Sequence, residues 1–157
     1  MVTVSTRAAG GLDLSDTQYE RRRYRGISAY RGSKQAARML TWALADKLTD
    51  EPITANAVNP GYVLTPLTQQ GHWAAEAPHR AHRLCGTDPL DGADTTIWAA
   101  ASPELDGTTG KFWGKRREIR CRFRHPAEID KLRTMVEQQL TDASSPAASG
   151  ASVEAPT

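Results

Sequence analysis

The chain has 157 residues, 39% of them hydrophobic, with a mean hydropathy of −0.55, which allows one domain with a real core and some length outside it. With 20 basic and 18 acidic residues the net charge is +2, so the overall balance implies no polyanionic partner. No apolar run reaches the ~18 residues of a membrane span and no basic-then-apolar leader opens the sequence, so a cytoplasmic protein is the expectation.

Taken in order, Met1 to Thr6 has strand composition and lies in a β-branched run, so the chain is expected to begin inside an element. Gly10-Gly11 ends that strand. Leu12 to Ile27 reads as a long polar loop containing Asp13, Asp16, Glu20 and the charge cluster Arg21-Arg22-Arg23, which reads as solvated. A helix is predicted next, capped by Ser28 and running to about Leu48, where Asp50-Glu51-Pro52 breaks it. Ala37, Leu40, Leu44 and Leu48 form its predicted buried stripe. Trp42 falls off that stripe and is expected to meet a second surface or a partner chain.

Tyr30 and Lys34 stand at the head of this helix, four residues apart and therefore on one face. A lysine charge beside a phenol favours the phenolate and lowers its pKa from the unperturbed ~10. Such a phenol can serve as a general acid or base near neutral pH. By itself the spacing is a weak signal, since tyrosine and lysine occur at this spacing by chance in many helices and a solvated helix face is the commoner reading.

Ile53 to Val58 is the most strand-like run, and its lack of polar alternation suits a strand covered on both faces of a parallel sheet. It ends in Asn59-Pro60-Gly61, where glycine removes side-chain bulk and lets a ligand approach the backbone. Strand, helix, strand in this order is a βαβ unit. Tyr62 to Gly86 has little periodicity and reads as a functional loop or lid. It carries His72, His79 and His82, but no third ligand at convincing spacing accompanies the last two, so no metal is expected.

Asp88 is a suitable cap and Pro89 a suitable first residue for the following helix, with apolar positions at Ala93, Ile97, Trp98 and Ala101 and a stop at Pro103. Lys111-Phe112-Trp113 is a short strand candidate. Lys115 to Arg124 is strongly basic and alternates Ile119, Cys121 and Phe123 with Arg120, Arg122 and Arg124, suggesting an edge strand or extended arm with an apolar underside. Without aromatic residues on its basic face, nucleic-acid binding is the weaker reading. A last helix starts at Pro126 with a stripe of Ile129, Leu132, Val136 and Leu140. Residues 141–157 read as a disordered Ala/Ser/Pro-rich tail after a domain spanning residues 1–140. Cys85 and Cys121, far apart and outside any CxxC spacing, read as reduced thiols.

The ordered set Val4-Ser5-Thr6, Tyr30-xxx-Lys34 and Asn59-Pro60-Gly61-Tyr62-Val63-Leu64-Thr65 resembles the C-terminal half of the short-chain dehydrogenase/reductase family. The loop Leu12-Asp13-Leu14-Ser15-Asp16 looks like its retinol-dehydrogenase and protochlorophyllide-reductase branch. The resemblance implies an α/β fold, the C-terminal part of a Rossmann-like doubly wound parallel sheet. It implies hydride transfer between NAD(P), with a slight leaning to NADP, and an alcohol or carbonyl substrate. Tyr30 would be the acid or base, and Lys34 would bond the nicotinamide ribose and tune the phenol. Thr6, with Ser5 before it, would supply the hydroxyl that steadies the substrate oxygen. Pro60 and Gly61 would shape the nicotinamide pocket, Val63 would contact the carboxamide through its backbone, and Thr65 would bond the cofactor.

The family's glycine-rich turn, which joins a strand to a helix and holds the pyrophosphate, has no counterpart here, since Gly10-Gly11 leads into a loop. The N-terminal cofactor-binding half is therefore expected to be missing, and a truncated chain to be weak or inactive alone. The rival expectation is a non-catalytic fragment or interaction module that self-associates through uncovered faces or a bare sheet edge. No membrane or nucleic-acid partner is expected.

Overall fold

A computed structural model describes residues 1–63 and 86–144. Its elements are β1 (Val2–Val4), α1 (Gly26–Lys47), β2 (Asn56–Val58), α2 (Pro89–Ala101), β3 (Phe112–Gly114), β4 (Arg117–Glu118) and α3 (Pro126–Ala143). The sheet order among the described residues is β1-β2-β3-β4. The first three strands are parallel, with Val4 opposite Val58 and Val58 opposite Trp113, and β4 returns antiparallel to β3. Adjacent residues of a strand point to opposite faces. Phe112 faces α1, where the Arg38 guanidinium lies 3.9 Å from its ring centroid. Trp113 faces α2 and meets Trp98 edge to face at 5.2 Å. Helices therefore cover both faces of the parallel strands, the α/β layering of a doubly wound sheet. No helix of the described residues is long and apolar enough to cross a membrane.

Helix α1 begins earlier than the sequence suggests. Arg25, in extended conformation, is its N-cap and makes no side-chain capping bond, so Ser28 lies inside the helix and Tyr30 in its second turn. The predicted stripe is also displaced. Ala37, Leu40 and Leu44 are only partly buried, whereas Gly32, Gln35, Arg38, Met39, Thr41, Trp42 and Ala45 are buried. The reason is that α1 packs on the sheet and α3 together, and several of its inward residues are polar with partners of their own. Gln35 Oε1 accepts from the Leu12 amide at 3.0 Å. Thr41 Oγ1 lies 2.9 Å from Thr3 Oγ1 and 2.8 Å from the Ala37 carbonyl to which it donates. Trp42 is 1% exposed and packs with Met39, Ala57, Phe112, Ile129 and Leu132, so the surface it meets belongs to this chain.

The loop before α1 is organised around Asp16. Its carboxylate accepts from the amides of Glu20 (2.8 Å) and Arg22 (3.1 Å) and from Arg22 Nε (2.9 Å). Burial opposes the charged carboxylate but is outweighed by Arg22 and by the backbone amides of Arg21, Arg22 and Glu20, so its pKa lies below the usual carboxylate value. Arg22 is thus held by Asp16, with Asp13 3.6 Å away, and does not belong to a solvated charge run.

Strand β2 is shorter than the predicted Ile53–Val58. Ile53 is exposed, while Asn56, Ala57 and Val58 are buried between two parallel neighbours. In α2 the Asp88 cap forms as expected, accepting from the Leu90 amide at 2.9 Å. Its apolar residues do not make the buried face, however: Ile97 is exposed, and Gly92 and Thr95 are buried. Close approach explains this, because a Cβ at Gly92 would sit 2.4 Å from Val63 Cγ2. Lys115 and Arg116 both have positive φ and turn a tight hairpin between β3 and β4, so the expected arm begins as a turn. Beyond it the alternation holds, with Ile119, Cys121 and Phe123 packed against the core and Arg120, Arg122 and Arg124 exposed. Arg116 Nε donates to Asp94 at 2.9 Å, Lys111 Nζ to Glu118 at 3.1 Å, and Arg124 to the Gly110 carbonyl, so these cations serve internal contacts. Helix α3 carries Thr141 to Ala143 beyond the predicted domain end, and residues 145–157 of the expected tail lie outside the described residues.

Trp42→Ala should lower unfolding free energy by about 3–5 kcal/mol, since it empties the contact of α1 with β2, β3 and α3. Urea denaturation measures this, and a loss under about 1 kcal/mol would show that the site relaxes around the cavity.

Candidate active site

The C-terminal ends of β1 and β2 lie side by side. The Ser5 amide donates to the Val58 carbonyl at 2.8 Å, and the Arg7 amide to Asn59 Oδ1 at 3.2 Å. The carboxyl ends of parallel strands are where open α/β sheets bind ligands. Helix α1 lays Tyr30, Lys34 and Arg38, at four-residue intervals, along the β1 end. Lys34 Nζ donates to the Val4 carbonyl at 3.1 Å and lies 5.8 Å from the centroid of the Tyr30 ring. Lys34 thus approaches the face of the phenol while bonded to the strand.

Tyr30 is 39% exposed, and burial of its remaining surface raises its pKa above the ordinary 10.0. The direction is opposite to the one inferred from the tyrosine–lysine spacing. Spacing fixes a shared helix face, but the charge acts on the phenol according to where the ammonium points, and here the carbonyl of Val4 claims part of it.

The two strand-end hydroxyls have different environments. Ser5 is 2% exposed, and its Oγ donates to the Lys34 carbonyl at 3.0 Å, so it ties strand to helix and is turned away from solvent. Thr6 is partly exposed, and its Oγ1 accepts from the Ala8 amide at 3.2 Å, which leaves its proton able to donate elsewhere. Beyond β2, Gly61 has φ +86°, and a Cβ there would meet nothing within 4 Å, so glycine is required by conformation and not by crowding. Pro60 precedes it, partly buried. Val63 forms an isolated parallel bridge with Thr87, and its side chain presses on Gly92. Thr65 and most of the expected lid, with His72, His79, His82 and Cys85, lie outside the described residues.

Sequence reasoning missed Arg38 and Asn59. Arg38 is 1% exposed, bonds to Ser5 and Thr6, and shares the helix face of Tyr30 and Lys34, which was its available signal. A separate cleft of about 400 Å³, between the Asp16 loop, α1 and α3, is lined by neither Tyr30 nor Lys34.

Residues 17–74 match the family described as short chain dehydrogenase. The chain is 32% identical over 146 residues to a polyprenol dehydrogenase of Mus musculus, covering 89% of this chain and 40% of that protein. It is 36% identical over 133 residues to a probable oxidoreductase of Streptomyces lividans, covering 76% of this chain and 43% of the relative. A crystal structure of a protein from Mycobacterium Paratuberculosis superposes with a TM-score of 0.66 at 27% identity, over 89% of this chain and 49% of that one. The chain belongs to the short-chain dehydrogenase family. It spans less than half the length of these relatives.

In this short-chain dehydrogenase chain the raised Tyr30 pKa carries a definite sign. The folded state holds the phenol proton more tightly than the unfolded state, so the associated stability is present below the unfolded pKa of ~10 and lost as pH rises through the folded value. Ultraviolet difference titration of the chain and of Tyr30→Phe should assign Tyr30 a transition above the ordinary tyrosine range. A Tyr30 transition near neutral pH would show that Lys34 governs the phenol.

Proposed function

We propose that this chain carries the acid–base part of an NAD(P)-dependent oxidoreductase site acting on a small alcohol or carbonyl compound. The observation that carries the reading is the Tyr30–Lys34 pair, held over the end of β1 on one face of α1. The donor set suits the nicotinamide–ribose end of the cofactor. Lys34 has three N–H donors, one directed to Val4, so the others can address ribose hydroxyls. The backbone at Gly61 and Val63 would line the nicotinamide, with Thr65 a further contact. When bound, the cofactor supplies or accepts the hydride.

Tyr30, protonated at neutral pH, donates its phenolic proton to the substrate oxygen in carbonyl reduction and takes it back in alcohol oxidation. Thr6 donates a hydrogen bond to the same oxygen through the proton that its Ala8 contact does not use. Ser5 fixes the strand end from below. No glycine-rich turn opens a helix among the described residues, so the chain alone is expected to hold the pyrophosphate weakly. NADP(H) is the first cofactor to test.

Steady-state kinetics with millimolar NADPH and a panel of aldehydes and ketones tests the reading. Tyr30→Phe should lower kcat by about 10²-fold or more with KM little changed. Turnover that Tyr30→Phe leaves unchanged would overturn it. Tight, stoichiometric NADPH binding in a titration would overturn the weak-binding part.

A second reading draws on β1, which ends the described sheet order and has Val4 44% exposed. An uncovered edge can pair with another chain. A dimer by light scattering that survives Tyr30→Phe, in a chain inactive with cofactor, would favour this interaction role.

A further inference from the structure

Arg38 is buried to 1% exposure, yet no carboxylate pairs with it among the described residues. Its guanidinium is placed between two rings, 3.9 Å from the centroid of Phe112 and 5.3 Å from that of Phe123. Among the described residues its N–H groups reach the end of β1: Nη2 donates to the Thr6 carbonyl, and Nε and Nη2 each lie 3.4 Å from Ser5 Oγ. The Ser5 proton goes to the Lys34 carbonyl, so its oxygen is oriented to accept from Arg38. A methionine or leucine could fill much of this volume without burying a charge, and such replacements of buried ions are often neutral or stabilising. What an apolar side chain cannot do is hold a backbone carbonyl and a hydroxyl in a fixed geometry, which the planar guanidinium does.

The three oxygens at the strand end are thereby claimed in sequence by one face of α1. Val4 O accepts from Lys34 Nζ, Ser5 Oγ exchanges bonds with the Lys34 carbonyl and Arg38, and Thr6 O accepts from Arg38. The same Thr6 carbonyl accepts from the Ala9 amide at 3.2 Å, closing the turn in which Thr6 Oγ1 meets the Ala8 amide. The backbone position of Thr6, and with it the aim of its hydroxyl, is therefore set from α1, the helix that also carries Tyr30.

We infer that Arg38 is a positioning residue for the reaction: it fixes the Thr6 hydroxyl relative to Tyr30 by anchoring the Thr6 carbonyl and the Ser5 hydroxyl. This rests on the oxidoreductase reading above. Arg38 touches neither substrate nor cofactor and acts through Thr6. A residue that merely filled the core would be replaceable by any side chain of its volume, and its loss would loosen the core as a whole.

Two variants, Arg38→Lys and Arg38→Met, separate these cases. Amide hydrogen exchange should show the Ala9 amide speeding up by about tenfold or more in both, while the β2 amide of Ala57 changes by less than about twofold. In kinetics both should lower kcat by about tenfold with little change in KM, and neither should lower it further in a Thr6→Ala background. Unchanged exchange at Ala9, equal acceleration at Ala57, or full additivity with Thr6→Ala would each overturn the inference. Turnover that Tyr30→Phe leaves unchanged would instead overturn the oxidoreductase reading and the catalytic half of this one, with Ala9 exchange still deciding whether the anchor exists. Should Arg38→Met fail to fold, Arg38→Lys carries the same comparison.

Discussion

The candidate site depends on polar bonds between the end of β1 and one face of α1. Apolar contact can bring a helix against a sheet, but it is non-directional and tolerates small slides and rotations. Hydrogen bonds have narrow preferences in distance and angle. Here they run from Lys34 to Val4, from Ser5 to Lys34 and from Arg38 to Ser5 and Thr6. A shift of α1 along the strand would break these bonds together, leaving a buried guanidinium and a buried hydroxyl without acceptors, and unpaired buried polar groups are costly. Tyr30 inherits its height above the strand end from this lock.

The apolar core stands behind it. Trp42 and Met39 join α1 to Phe112 and Ala57 of the sheet and to Ile129 and Leu132 of α3. Phe112 takes part in both systems, touching the core cluster on one side and the Arg38 guanidinium on its ring face. On the sheet's other side Gly92 lets α2 approach Val63 closely, so packing joins the bonds from the Asn59 amide to the Trp113 carbonyl and from the Thr87 amide to the Tyr62 carbonyl in holding the chain that leaves β2.

What could be read in the sequence followed from local rules. The four-residue spacing put Tyr30 and Lys34 on one helix face, Asn59-Pro60-Gly61 marked the turn after β2, and Asp88-Pro89 marked the start of α2. The buried arc of α1 was not legible, because apolar periodicity counts only apolar residues and this helix turns Gln35, Arg38 and Thr41 inward. Arginine is almost never fully buried unless paired. The acceptors that make Arg38 tolerable lie about thirty residues away, and no local pattern announces them. The Asp16 hub was hidden for a similar reason. Its acceptor role is discharged mainly by backbone amides, which every residue type supplies. Thr65 falls outside the described residues, so its part in the site rests on the resemblance alone.

The phenol shows why a motif does not fix its own electrostatics. Two influences compete at Tyr30: loss of water, which disfavours the phenolate, and the Lys34 charge, which favours it. Spacing guarantees that the second exists but says nothing of its strength, which falls with distance and with hydrogen bonds that turn the ammonium elsewhere. With Lys34 bonded to Val4 and lying over the ring, desolvation prevails and the proton stays on. A phenol in that state is ready to give a proton to a carbonyl oxygen and must first lose one to act on an alcohol. The protonation of this phenol is thus set by how much water the ring loses and by where one ammonium group points, rather than by which residues are present.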